Sequence, residues 1–244
     1  MFAECVSPEA LEILRTLGKR EVLWSAGFYL AGGTGLALQL GHRISEDLDF
    51  FSERDFDPEA TAHKIAGILP VQVQSVSEGT LHLICNKTRV SLLHYPYKVV
   101  FPFLCFEGCP VADYRDIAAM KLFAVGQRGF RKDFVDLYFS LCKSLSLDEL
   151  KQIIDRKCVN VRYNWVHLVR SLGYFADAEK DPMPELVTPH GPRKMTLEEW
   201  EEVKRFFLGL QEKALSEMRH HGVCPKGVEA SKRPEGKKSR RKKL

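Results

Sequence analysis

Long hydrophobic runs are missing from this chain of 244 residues. The apolar stretches at 28–31 and 99–106 are short, the second is broken by Pro102, and a membrane-spanning helix needs roughly 20 apolar residues. The first 17 residues carry Glu4, Glu9 and Glu12 and lack a basic segment leading into an apolar one, so they do not read as a secretory signal. A cytoplasmic protein with no membrane partner is the expectation. No Cys-x-x-Cys pair occurs among the seven cysteines, an odd and scattered set, which argues against both a disulfide framework and a zinc site. Cys105 and Cys109 are four apart, but no histidine or second cysteine pair stands near to complete a tetrahedral set. No His-x-x-x-His pair and no Gly-x-Ser-x-Gly elbow is present, so acyl transfer has no support. Internal repeats are absent as well.

What is there suits a globular protein. Hydrophobic residues make up 45% and charged residues 28%, enough apolar side chains to close a core in one large domain or two small ones. The net charge of +4 conceals an asymmetry. Between Pro225 and Leu244 nine Lys/Arg face two Glu, which leaves 27 basic against 30 acidic residues elsewhere. The body is mildly acidic and the tail basic.

Ser7-Pro8 is a helix start, and Leu11, Leu14 and Leu17 give the following helix one apolar face to about Lys19. Residues 28–31 read as a short buried strand ending at Gly32-Gly33, after which 34–40 is helical until Gly41 stops it. Asp47-Leu48-Asp49-Phe50-Phe51 alternates with period two, a second strand with both carboxylates on one face. A helix over 58–69 capped by Asp57 follows, then strands at 71–76, 81–85 and 89–95 that form an antiparallel meander. From Tyr114 the pattern turns helical: 114–126, 130 or 132–141, 147–157, 161–174 and 197–219. The proline-rich segment 181–192 reads as a surface loop. The fold class is therefore α+β: a small mixed sheet flanked by helices, followed by a helical C-terminal region. The expected divisions are an α/β core at 1–110, a helical region at 111–222 that completes a cleft, and a disordered basic tail at 223–244.

Two features placed in succession point to chemistry. A Gly32-Gly33-Thr34 turn opening a helix exposes backbone N–H groups with no side chain in the way, a cradle for phosphate; a tight strand-to-helix turn would use the same residues. Asp47 and Asp49 set carboxylates side by side, where repulsion costs stability unless a hard cation such as Mg²⁺ sits between them; a solvated strand face would also carry them. One cradle placed one helix before one acidic pair is what nucleotidyl transfer requires.

Gly32-Gly33-Thr34 with Asp47-Leu48-Asp49 resembles the signature of the DNA polymerase β-type nucleotidyltransferase superfamily, and more closely that of the AbiEii/AbiGii toxin family, with similar stretches at 30–40, 43–52, 91–97 and 111–141. The resemblance implies an NTP seated on Gly32, Gly33 and Thr34, and Mg²⁺ on Asp47 and Asp49. It matches Lys121 and Asp136 to a catalytic lysine and an aspartate that orients it or helps deprotonate the acceptor. Lys121 and Arg128, seven apart, fall on roughly one helix face unless Gly126 or Gly129 interrupts it, so two cations point at one polyphosphate; a solvated basic face is the plainer explanation. Arg43 is placed to meet the triphosphate or to pair with Glu46, and Asp133 is expected in the same network or on the surface against Arg131 or Lys132. The strand that carries a third carboxylate in many relatives has Ser91 here. His94 is a candidate neighbour of the site, and the turn 95–97 reads as packing.

The resulting expectation is a Mg²⁺-dependent nucleotidyltransferase that moves NMP from an NTP to an acceptor hydroxyl. By resemblance it is the toxin of a toxin–antitoxin or abortive-infection pair, with tRNA as the candidate acceptor and a cognate antitoxin as partner. Its rivals are a nucleotide- or partner-binding protein of the same fold without transfer activity, which Ser91 favours, and an antibiotic-modifying nucleotidyltransferase, which needs an acidic pocket. The basic tail reads either as a solubilising end or as a salt-sensitive clamp on RNA phosphates.

Overall fold

Capping chemistry sets the first element boundaries. In the computed structural model, which describes residues 1–220, Ser7 accepts a hydrogen bond from the Ala10 N–H and Pro8 fills the first turn of α1 (Pro8–Arg20). After the short α2 (Val22–Ser25), β1 (Phe28–Leu30) runs into α3 (Gly32–Leu40), which Gly41 ends in the left-handed conformation at φ 66°. β2 (Leu48–Ser52) leads to α4 (Pro58–Ala66), whose start is capped by the Asp57 side chain. Three strands then form the expected meander: β3 (Val71–Ser77), β4 (Thr80–Cys85) and β5 (Thr88–His94). The basic tail falls outside the described residues.

Two strands went unanticipated, β6 (Leu104–Phe106) and β7 (Cys109–Val111). Each has three residues, too few to show a period, and they join through Glu107-Gly108, both at positive φ. The helices α5 (Tyr114–Gln127), α6 (Arg131–Ser144), α7 (Leu147–Lys157) and α8 (Trp165–Ser171) follow. The last is shorter than expected because the Asn164 side chain caps it by accepting from His167 N–H. The segment expected as a surface loop instead forms a hairpin, β8 (Glu185–Thr188) with β9 (Gly191–Lys194). Pro184 precedes it, Pro189 lies in its turn, and Pro192 sits in β9 opposite Val187, an edge position that needs no ladder N–H. The long α9 (Leu197–His220) closes the described chain.

The seven strands form one mixed sheet in the order β3-β4-β5-β2-β1-β7-β6. β2 is its hinge, antiparallel to β1 and parallel to β5. Alternation gives the sheet two characters. Leu48 and Phe50, with Leu81, Leu83, Val90 and Leu92, bury one face against α1, α2 and α4, while Asp49, Phe51 and Ser91 take the other, toward α3 and the C-terminal helices. A second core, built around Phe134, Trp200 and Phe207, holds those helices together. Among the described residues no helix is long and apolar enough to cross a membrane, and the six cysteines described are free thiols.

Candidate active site

The turn between β1 and α3 leaves its helix end bare. Ala31 occupies the N-cap position with no side-chain cap, and the first amide to bond back along the helix is that of Gly35, to Ala31 C=O at 2.9 Å. The N–H groups of Gly32, Gly33 and Thr34 therefore have no acceptor within the helix, the arrangement that takes an anion. Gly32 (φ 61°) and Gly33 are glycines for a reason of space. A Cβ on Gly32 would lie 2.6 Å from Asp49 Oδ2, and one on Gly33 would lie 2.3 Å from Arg43 Nη2. Asp49 and Arg43 thus rest directly on the glycine backbone. Thr34 is buried, and its hydroxyl is hydrogen-bonded to Ser45 Oγ at 2.8 Å and donates to the Asp47 carbonyl. That hydroxyl ties the 45–47 segment to α3; only the Thr34 amide is left for a ligand.

Asp49 pairs across the parallel ladder with Ser91, and Ser91 with His82 of β4. Asp47 precedes β2, with its side chain 40% exposed and Oδ2 3.9 Å from Lys132 Nζ. Among the described residues no group of three or more His, Cys, Asp or Glu gathers as a metal cluster. Two partly exposed carboxylates beside an anion cradle nonetheless suit Mg²⁺, which commonly takes one or two carboxylates and completes its shell with water and substrate phosphate.

Against the glycine turn, through Arg43, lies a buried ionic network. Asp136, fully buried, accepts from His42 Nε2 (2.8 Å), Arg43 Nε (2.6 Å) and Arg43 Nη2 (3.0 Å), and pairs with Lys121 Nζ at 2.6 Å. Lys121 also donates to Asp133 Oδ1 (2.8 Å), and Arg128 Nε reaches Asp133 Oδ2 (3.0 Å). Burial opposes ionisation of Asp136, but Arg43 and then Lys121 outweigh it and hold the carboxyl well below its usual range. Burial likewise disfavours the Lys121 ammonium, yet Asp133 and Asp136 keep its pKa raised. His42 goes the other way: burial lowers its pKa despite the Asp136 hydrogen bond, so it stays neutral. Arg43, Lys121 and Arg128 against Asp133 and Asp136 leave one net positive charge next to the acidic pair.

The structure settles several alternatives of side-chain pairing. Arg43 pairs with Asp136, not Glu46, because the 42–44 segment is turned inward by β8: Ile44 N–H donates to Glu185 C=O (2.8 Å) and Val187 N–H to His42 C=O (3.1 Å). Asp133 is buried with Lys121 and Arg128 and is not a surface partner of Arg131 or Lys132. α5 ends at Gln127 with Gly129 at φ 58°, and its two cations converge on Asp133; only Arg128 keeps half its side chain exposed. His94 lies on the opposite face of β5 from Ser91, 3.9 Å from Asp55. The 95–97 turn packs, with Tyr95 and Tyr97 ring centroids 4.6 Å apart. His42 and Lys132 were missed as neighbours of the site. The only sequence signal for His42 was its place beside Arg43; Lys132 stood in the stretch 111–141 that resembles the family but was read there as a surface partner of Asp133, where the structure sets it 3.9 Å from Asp47.

A family model described as nucleotidyl transferase AbiEii toxin, type IV toxin–antitoxin system, matches residues 15–98, from α1 through the Gly32 turn and β2 to the end of β5. That match spans 84 of the 244 residues, and over it the chain is similar to the AbiEii family. The uncharacterized protein aq_aa25 of Aquifex aeolicus (strain VF5) is 35% identical over 204 residues, covering 82% of this chain and 91% of that one. Among solved structures, MenT4, nucleotidyltransferase toxin Rv2826c from Mycobacterium tuberculosis H37Rv, superposes with a TM-score of 0.50 at 16% identity, over 89% of this chain and 86% of its own. JHP933 from Helicobacter pylori gives 0.48 at 17% identity, over 89% and 98%. The AbiEii match takes in the glycine turn, Arg43, Asp47, Asp49 and Ser91, while Lys121, Arg128, Asp133 and Asp136 lie beyond it.

Proposed function

We propose that this chain is an AbiEii-type toxin that transfers a nucleoside monophosphate from an NTP to an acceptor hydroxyl with Mg²⁺, with tRNA as the candidate acceptor and a cognate antitoxin as partner. One observation carries the reading: the Asp49 carboxylate lies against Gly32 at the bare end of α3, so a metal-binding carboxylate and an anion cradle open on the same hollow. Asp47 and Asp49 would hold Mg²⁺, which supplies charge neutralisation between the phosphates when bound. The amides of Gly32, Gly33 and Thr34 bind the triphosphate, and Arg43, against Gly33, brings a cation to that cradle. Asp136 is a positioning residue: surrounded by Arg43 and Lys121 and strongly ionised, it has little affinity for a proton and fixes both cations instead. The acceptor hydroxyl oxygen attacks the α-phosphorus and gives up its proton to solvent, the bond from that phosphorus to the α–β bridging oxygen breaks, and pyrophosphate leaves.

Ser91 beside Asp49 favours one rival, a protein that holds nucleotide without transferring it. Incubation with each of the four α-labelled NTPs, Mg²⁺ and total RNA separates the two. Transfer places covalent label on RNA and releases pyrophosphate, and Asp49→Asn abolishes both. Label retained only noncovalently by the protein would select the binding module, and transfer or toxicity undiminished in Asp49→Asn would overturn the assignment.

A further inference from the structure

Beyond the hollow, a second concavity of about 340 Å³ opens between the end of α5 and α8, lined by Arg128, Gly129, His167, Arg170 and Tyr174 among others. Its chemistry is unlike that of the glycine turn. The Arg170 guanidinium has no ion-pair partner among the described residues, and the Arg128 side chain is half exposed. The acidic residue of the rim, Asp177, is engaged by Lys180 at 2.8 Å. One large aromatic face lines the cleft, that of Tyr174, 60% exposed; Phe130, 37% exposed, stands outside the lining with the Arg128 guanidinium 5.0 Å from its ring centroid. His167 adds a further polar group, its Nε2 3.0 Å from Gly126 C=O.

A free guanidinium and a second, half-exposed one beside an exposed ring are the elements with which proteins hold unpaired nucleic acid, the cations tracking phosphates and the ring stacking a base. Duplex would leave that ring without an unstacked base to cover it. Arg128 links the cleft to the hollow, since the side chain that lines the one also pairs with Asp133, the partner of Lys121. We infer that this cleft seats the single-stranded end of an RNA acceptor, with Tyr174 stacking a base and Arg170 holding a phosphate, so that the terminal hydroxyl is presented toward Asp49. The inference rests on the nucleotidyl-transfer reading for its direction but not for its existence, because strand binding is measurable without any transfer.

The test uses the full chain and a fluorescein-labelled single-stranded RNA with a free 3′ hydroxyl, followed by anisotropy over a salt series beside a duplex of the same sequence. Tyr174→Ala is expected to weaken single-strand binding about tenfold and to erase the preference over duplex, while Tyr174→Phe restores both, since stacking needs the ring. Arg170→Ala is expected to lower the slope of log affinity against log salt by about 0.7, one phosphate's share for a single strand, and Arg170→Lys to restore it. In each variant NTP binding stays as in the parent, which excludes general unfolding. Unchanged affinity, strand preference and salt slope in both alanine variants would overturn the cleft while leaving nucleotidyl transfer standing. Loss of transfer in Asp49→Asn with single-strand binding intact supports the cleft as a separate seat, and a wild-type chain that binds duplex as tightly as single strand would overturn it.

Discussion

Two pairs of aspartates stand close together in this molecule and are treated in opposite ways. Asp133 and Asp136 are fully buried and bound to four side chains, His42, Arg43, Lys121 and Arg128. Asp47 and Asp49 are partly exposed, and the ion pair in reach of them is a loose one, Lys132 at 3.9 Å. A buried carboxylate without partners is expensive, so the inner pair is matched by the fold itself. The outer pair is left open, and such a pair is finished only by something the chain binds. The inner pair therefore builds a charged wall, and the outer pair is the one that the proposed function assigns to the metal.

Removing a member of the inner pair has the largest expected effect. Asp136→Ala strands Arg43 and Lys121 in the interior and lowers unfolding free energy by about 3–5 kcal/mol, measured as a shift in the urea midpoint; a shift below 1 kcal/mol would mean the network is not what holds α5, α6 and the 42–44 segment together. Next comes the glycine on which the outer pair rests. Gly32→Ala puts a Cβ into the space of Asp49 Oδ2 and a side chain on a left-handed residue, for a loss of about 1–3 kcal/mol. The steric share of that loss disappears in an Asp49→Gly background, so a double-mutant cycle with no coupling would refute the close approach.

Acidification has a smaller effect, and its sign follows from His42 and Asp136. Burial lowers the His42 pKa, so in the unfolded chain the imidazole takes up its proton near the ordinary 6.5 while the folded one resists. Stability is thus expected to fall as pH drops below about 6.5. The share held by Asp136, whose carboxyl is also lowered, persists above the ordinary carboxylate value of 3.8 and is lost as pH falls through the depressed value. His42→Gln flattens the first phase, seen in urea midpoints between pH 7 and 5. Smallest is Lys132→Ala: an exposed pair at 3.9 Å contributes little, and the melting midpoint should reflect less than about 0.5 kcal/mol.

The outer pair and its cradle were legible in the sequence because the determinants are local. Gly32-Gly33 must follow a strand and open a helix, and Asp47 and Asp49 are two apart on an alternating segment, so each feature is written within a few neighbouring residues. Ser7, Asp57 and Gly41 marked helix boundaries for the same reason. The inner pair was not legible in its contacts. Asp136 meets His42 and Arg43 across more than 90 positions, and no period or cap encodes such a meeting. Arg43 was assigned Glu46 as an alternative partner because only near neighbours are visible along a chain. The hairpin β8–β9 was hidden by its own prolines, which favour a loop until Pro192 is seen to occupy an edge.

That hairpin has a consequence for how the protein can be shortened. The carbonyl of Glu185 and the amide of Val187 clasp the backbone on both sides of Arg43, so a stretch near the far end of the chain acts as a buckle for a residue near its beginning. An excised fragment limited to the matched segment 15–98 would retain every residue of the glycine turn and both outer aspartates, yet its Arg43 strap would hang unfastened.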